Sequence, residues 1–116
     1  MHLRRGAMLI LREDVPLALF NAHALQLCGW RAYVTNDLSL ALNIVRRKQL
    51  VLVIMDADVG RPRHRDPARE LKAARPDMRM LLLRDGGGES TWINVEPGGD
   101  TDAILELLRD TRPGPQ

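Results

Sequence analysis

Short apolar runs alternate along the chain with stretches of helical period. Ala7–Leu11 (AMLIL) is a continuous apolar run of the length of a buried strand. Leu17, Phe20, Ala24 and Leu27 then recur at helical spacing, and Gly29 follows as a C-terminal stop. Arg31–Thr35 (RAYVT) reads as a second short strand. Asp37 is placed to cap a second helix, whose stripe is Leu38, Ala41, Leu42 and Val45. Leu50–Met55 (LVLVIM) is the most apolar run and predicts the centre of a sheet. Asp66–Asp77 predicts a short polar helix with Ala68, Leu71 and Ala74 on its apolar side. Met78–Leu83 (MRMLLL) and Thr91–Val95 (TWINV) read as two further strands, separated by RDGGGES. A last helix begins with Asp100 or Thr101 as its cap and turns Ile104, Leu107 and Leu108 inward.

Strand and helix in alternation, joined by short links, predict a parallel sheet with helices on both faces and right-handed crossovers. In open sheets of this kind ligands bind beyond the carboxyl ends of the strands. Asp56 stands at such an end, directly after the central strand. Glu13 and Asp14 stand at another, after the first strand.

Composition narrows the class without naming a chemistry. A chain of 116 residues with 45% hydrophobic residues is the size of one domain with one core. No apolar run approaches the roughly 20 residues that span a bilayer, and Ala7–Leu11 is too short for a signal peptide. The expectation is a cytoplasmic protein, and the single Cys28 excludes an intramolecular disulfide. The net charge of +2 reflects a small excess of arginine. The cluster Arg61–Arg65 (RPRHR) has no interleaved aromatics and no recognition-helix pattern, so it reads as a solvated loop, and direct nucleic-acid binding is not expected. His2, His23 and His64 have no metal-ligand spacing with one another or with Cys28. Ser90 lacks a nucleophile-elbow setting, and no phosphate-binding glycine loop leads into a Lys-Ser or Lys-Thr pair. No catalytic residue is assigned, and an enzyme is not expected.

Three carboxylates at the ends of two neighbouring strands allow two readings. A Mg²⁺ ion takes hard oxygen ligands, and a few carboxylates with waters suffice. Such an ion would relieve the repulsion among Glu13, Asp14 and Asp56 and offset the charge of a phosphoryl group on Asp56, a carboxylate able to act as nucleophile. Alternatively, the three acids are hydrogen-bonded strand-end caps with no metal.

The run LILREDVP resembles the first strand and acidic pair of response-regulator receiver domains. DLSLALNIVRRKQLVLVIMD is similar, without a gap, to that family's second helix and third strand, which ends at the phosphoacceptor aspartate. The 42-residue step from Asp14 to Asp56 suits the family, and INVEPGGDTDAILELLRD resembles its last strand and last helix. The resemblance covers residues 1–112, with 113–116 as a tail or the start of a linker. It implies a flavodoxin-like, doubly wound, five-stranded parallel sheet in the order 2-1-3-4-5. It further implies Asp56 as phosphoacceptor and an Mg²⁺ site built from Glu13, Asp14, Asp56 and the backbone of Asp58.

Several positions depart from the family pattern. Where the family has a phosphate-binding Ser or Thr after the fourth strand, this chain has Arg84, or Asp85 with a one-residue shift. Where the family has Lys before Pro, this chain has Glu96 before Pro97. Ile93 occupies the place of the switch aromatic. Arg84 either reaches Asp56 or Glu96 as an internal cation or points to solvent. Only twelve steps separate Arg84 from Glu96, and three consecutive glycines, at roughly 1 kcal/mol each in a helix, lie between them. The family's fourth helix is therefore expected to be missing or reduced to a turn.

These departures favour a degenerate receiver, a phosphorylation-independent interaction or dimerisation module in bacterial signalling or transcription control. It would require no cofactor. The alternative is a working phosphoacceptor that uses Mg²⁺. The expected partner is a second copy, a histidine kinase or an output protein. It would dock on the face of the fourth strand, fifth strand and last helix, where loss of a helix should leave apolar surface; a homodimer is the expected assembly.

Overall fold

A computed structural model describes residues 6–57, 66–84, 90–95 and 100–110. Asp58, Asp85, Glu96, Pro97 and the Arg61–Arg65 cluster lie outside these residues. The chain runs β1 (Gly6–Leu11), α1 (Val15–Leu27), β2 (Trp30–Thr35), α2 (Leu38–Arg47), β3 (Leu52–Asp56), α3 (Pro67–Ala74), β4 (Met80–Leu83), β5 (Thr91–Ile93) and α4 (Asp100–Asp110).

Local chemistry explains where the helices begin and end. Three of them start on an aspartate whose carboxylate accepts a backbone N–H of the first turn. Asp14 takes Leu17 N at 3.0 Å, Asp37 takes Ser39 N at 3.1 Å, and Asp66 takes Arg69 N at 3.2 Å. Each cap satisfies one of the donors a helix start leaves unpaired. Helix α1 ends at Gly29, which adopts φ 98° and donates to the Gln26 carbonyl, the left-handed stop that glycine makes without strain.

The sheet order is β2-β1-β3-β4-β5, as the resemblance implies. The first four strands are parallel, with β1 and β3 central. Side chains alternate between two cores. Leu9, Leu11, Val53, Met55 and Met80 pack under α2 and α3, around Ala41, Val45 and Leu71. Met8, Ile10, Leu52, Ile54 and Leu81 pack under α1 and α4, around Ala18, Ala22, Leu25 and Ile104. The apolar sides expected of α2, α3 and α4 are the sides that face the cores.

Two expectations are corrected. The buried stripe of α1 is Ala18, Asn21, Ala22 and Leu25, not Leu17, Phe20, Ala24 and Leu27. Phe20 and Leu27 are 44% and 76% exposed, which places part of the expected stripe on the outside of the helix. The helix is apolar all round, so period alone does not choose its inner side. The second correction is that the sheet is not parallel throughout. β5 runs antiparallel to β4, pairing Met80 with Ile93, Leu81 with Trp92 and Leu82 with Thr91. Only residues 84–90 join the two strands. A parallel return needs a crossover of about a dozen residues or more, whereas an antiparallel one needs only a hairpin. The short link that removes the family's fourth helix therefore also reverses the last strand.

Asn94 fastens the reversed strand at its far end. It adopts φ 58°, a left-handed conformation that asparagine tolerates better than most residues. Its side-chain Nδ2 donates to the carbonyls of Pro76 at 3.1 Å and Met78 at 3.0 Å, just before β4. Asn94→Ala is expected to lower stability by about 1–2 kcal/mol, from two lost hydrogen bonds and a strained alanine. Asn94→Gly, which relieves the strain, should lose measurably less. Urea unfolding of both variants checks this, and equal losses would show that the backbone conformation contributes nothing.

Candidate functional site

Arg12 and Asp56 form an ion pair at the carboxyl end of the sheet, Nε to Oδ1 at 3.0 Å, with side chains only 12% and 13% exposed. Register explains the pairing. Leu11 lies beside Met55 in the parallel β1–β3 pair, so the next residues on each strand are Arg12 and Asp56. Both continue the alternation of Met8, Ile10, Leu52 and Ile54 and so turn toward the α1 side of the sheet. The Arg12 backbone N–H is held by the Thr35 carbonyl at 3.2 Å, which ties the same residue to β2.

The other side of the guanidinium is also engaged. Arg12 Nη1 donates to Asn21 Oδ1 at 2.8 Å, and Asn21 is fully buried on α1. A buried amide is costly unless bonded, and among the described residues no buried side-chain polar atom lacks a partner. The second oxygen of Asp56 accepts the backbone N–H of Glu13 at 3.3 Å. Arg12 thus links β1, β2, β3 and α1 at one point.

The predicted site residues fall into three groups. Asp56 stands at the end of β3, where the resemblance places a phosphoacceptor. Glu13 and Asp14 follow β1 beside it, both exposed, and the Asp14 carboxylate caps α1. Arg84, read as either an internal cation or a solvent-facing side chain, is exposed; the cation beside Asp56 is Arg12. Ile93 is half-buried on the Leu9 side of the sheet, opposite Trp92. Because β5 is reversed, its C-terminal end lies beside the start of β4, not at the Asp56 end. Ile93 is level with Met80 and Asp56 with Leu83, three residues apart along β4 or about 10 Å. Asp58, Glu96 and Pro97 lie outside the described residues. Arg12 and Asn21 were not singled out from sequence, although the parity and neighbouring register of Arg12 and Asp56 carried the signal.

With Arg12 against Asp56, the described residues do not fit a divalent metal ion. The guanidinium sits against one Asp56 oxygen, the other takes a backbone N–H, and Asp14 is used as a helix cap. Among the described residues no three His, Cys, Asp or Glu side chains group to hold a metal.

No family model and no curated protein sequence matches the chain. Solved structures do. A receiver domain protein (CheY-like) from Methanospirillum hungatei JF-1 is 14% identical over 91% of this chain and 95% of its own, with a TM-score of 0.62. A response regulator from Thermotoga maritima is 19% identical over 92% of this chain and 78% of its own, at TM-score 0.56. A Burkholderia pseudomallei response regulator with a phosphorylated aspartic acid, calcium ion and citrate is 14% identical over 92% of this chain, at TM-score 0.60. This chain spans 55% of that protein's length. The fold is that of a receiver domain.

The receiver fold here carries its large exposed apolar side chains on helices. Among the described residues these are Leu19, Phe20 and Leu27 on α1 and Leu40 on α2, rather than residues of β4 or β5. No helix among the described residues is long and apolar enough to cross a membrane.

Arg12→Ala is expected to lower stability by about 3 kcal/mol, because it takes the guanidinium from a largely buried carboxylate and from a buried amide. In a double-mutant cycle with Asp56→Ala, the loss for the pair should fall short of the sum of the single losses by at least about 1 kcal/mol. Additive losses in urea unfolding would show that the two charges do not interact.

Proposed function

We propose that the chain is a receiver domain of bacterial signal transduction or transcription control that works without phosphorylation, as a protein-interaction and dimerisation module. The observation that carries this reading is the Arg12–Asp56 ion pair. In a phosphoacceptor the carboxylate must be open to a phosphodonor and to a metal ion. Here a guanidinium anchored from α1 covers one oxygen, and a backbone N–H meets the other.

The reversal of β5 supports the same reading. A cation following the last strand of a parallel sheet would stand at the Asp56 end. In this chain the end of β5 is fastened by Asn94 at the opposite end. No hydroxyl replaces it on β4, since Arg84 follows Leu83. The domain then requires no cofactor and acts in the cytoplasm, its partner being a second copy, a histidine kinase or an output protein. The outer side of α1, with Leu19, Phe20 and Leu27, joins the β4–β5–α4 face as a candidate docking surface, because a helix apolar on both sides covers only one of them in the monomer.

A second reading is a working phosphoacceptor. It is favoured by the position of Asp56 at the end of β3 beside Glu13 and Asp14, and by the phosphorylated aspartic acid of the Burkholderia neighbour. Incubation with acetyl phosphate and Mg²⁺, followed by intact-mass measurement, separates the two. No phosphate adduct is expected. A stoichiometric adduct absent from Asp56→Ala would replace the first reading by the second.

A further inference from the structure

The geometry points to Arg12 as a built-in cation that takes the place of a divalent metal ion at Asp56. On this inference the domain binds no Mg²⁺ or Mn²⁺ there, and removing the guanidinium opens the site to such an ion. The inference rests on and deepens the reading of a phosphorylation-independent receiver fold, by naming the group that closes the site.

Three observations support the substitution. Arg12 is attached to Asp56 by its Nε at 3.0 Å and to Asn21 by Nη1 at 2.8 Å, so the plane of the guanidinium is set from both sides. A planar group held in this way loses little further freedom and is not readily displaced. Its backbone is fixed as well, by the Thr35 carbonyl at 3.2 Å. A metal ion at Asp56 would have to approach a fixed positive charge already in hydrogen-bond contact with its first ligand, in a place where both side chains are nearly nine-tenths buried.

Charge balance leads to the same conclusion. Glu13, Asp14 and Asp56 follow two adjacent strands, and Arg12 is the cation that the strand register sets directly beside Asp56. Without Arg12, Asp56 would lose its fixed counter-charge, the condition under which a carboxylate takes up a divalent ion. Asn21 adds a mechanical consequence. Where the counter-charge of a carboxylate is a free ion, it leaves and returns with its concentration. Here it is bonded to α1, so α1 is coupled to the Asp56 site at all times.

The test is Mn²⁺ binding followed by the electron paramagnetic resonance signal of the free ion. Wild-type protein is expected to leave that signal unchanged, whereas Arg12→Ala should reduce it through a site at least about a hundredfold tighter, the order expected for lifting the repulsion of one adjacent positive charge. Adding Asp56→Asn to Arg12→Ala should restore the signal. If Arg12→Ala does not fold, Arg12→Gln removes the charge while keeping a donor for Asn21, and it carries the same expectation. Mn²⁺ bound by wild-type protein and released by Asp56→Asn would overturn the inference, as would the absence of any gain in both Arg12 variants. These outcomes are distinct from failure of the functional reading. A phosphate adduct formed in EDTA would sink that reading and leave this one, while Mn²⁺ on Asp56 without any adduct would do the reverse.

Discussion

The carboxyl end of the sheet depends on two strands in parallel register. Leu11 beside Met55 makes Arg12 and Asp56 neighbours, and alternation turns both toward α1. An aspartate at the end of a strand buried on both faces needs a counter-charge or a full set of donors. It receives a guanidinium on one oxygen and the Glu13 N–H on the other. The guanidinium in turn gives the buried Asn21 of α1 its acceptor role. One arginine therefore bonds a strand end and a helix face together, on the side of α1 that also buries Ala18, Ala22 and Leu25.

A second constraint is chain length. Residues 84–90 leave no room for a helical crossover between β4 and β5, so the strand returns as a hairpin partner. The sheet keeps its order because Trp92 and Ile93 still cover the two cores from the edge. α4 also keeps its place against α1, with Ile104 in the core shared by Met8 and Ile10. What changes is which end of the sheet the last strand points to. The fold survives the reversal because its cores depend on side-chain parity, which an antiparallel strand satisfies as well as a parallel one. The ends of β1 and β3 still meet at Asp56, whereas the end of β5 lies at the other end of the sheet.

This explains what could be read from sequence and what could not. The strands of LVLVIM and AMLIL, the cap at Asp37, and the Gly29 stop are local signals, and the structure agrees with them. The stripe of α1 is ambiguous because apolar residues lie on every side of the run from Val15 to Leu27, so the choice falls to tertiary contacts, among them Asn21 with Arg12. The shortness of the link after Leu83 was visible in the residue count, and it correctly removed a helix. Its further consequence, the direction of β5, required comparing that count with the length of a parallel crossover. Arg84, one strand away after β4, stands where the resemblance has a phosphate-binding residue, so the resemblance draws attention to it as a candidate cation. Parity on β1 pointed instead to Arg12.

The ion pair is not the arrangement that stability alone would choose. Apolar residues of similar volume in place of a buried pair are often neutral or more stabilising, by about 1–4 kcal/mol. Leucines at both positions would fill the strand ends as well, but they would remove the bond from Arg12 to Asn21 and with it a directional tie to α1. A hydrophobic contact tolerates sliding of a helix, whereas a guanidinium bonded at 3.0 Å to β3 and 2.8 Å to α1 does not. What Arg12 adds is position rather than strength: it fixes α1, and with it the outward Leu19, Phe20 and Leu27, relative to the strand that carries Asp56. On the proposed reading, in which the surface serves a partner without a phosphorylation step, that surface must be held in one place, and a covalently tethered cation would hold it there at any metal concentration.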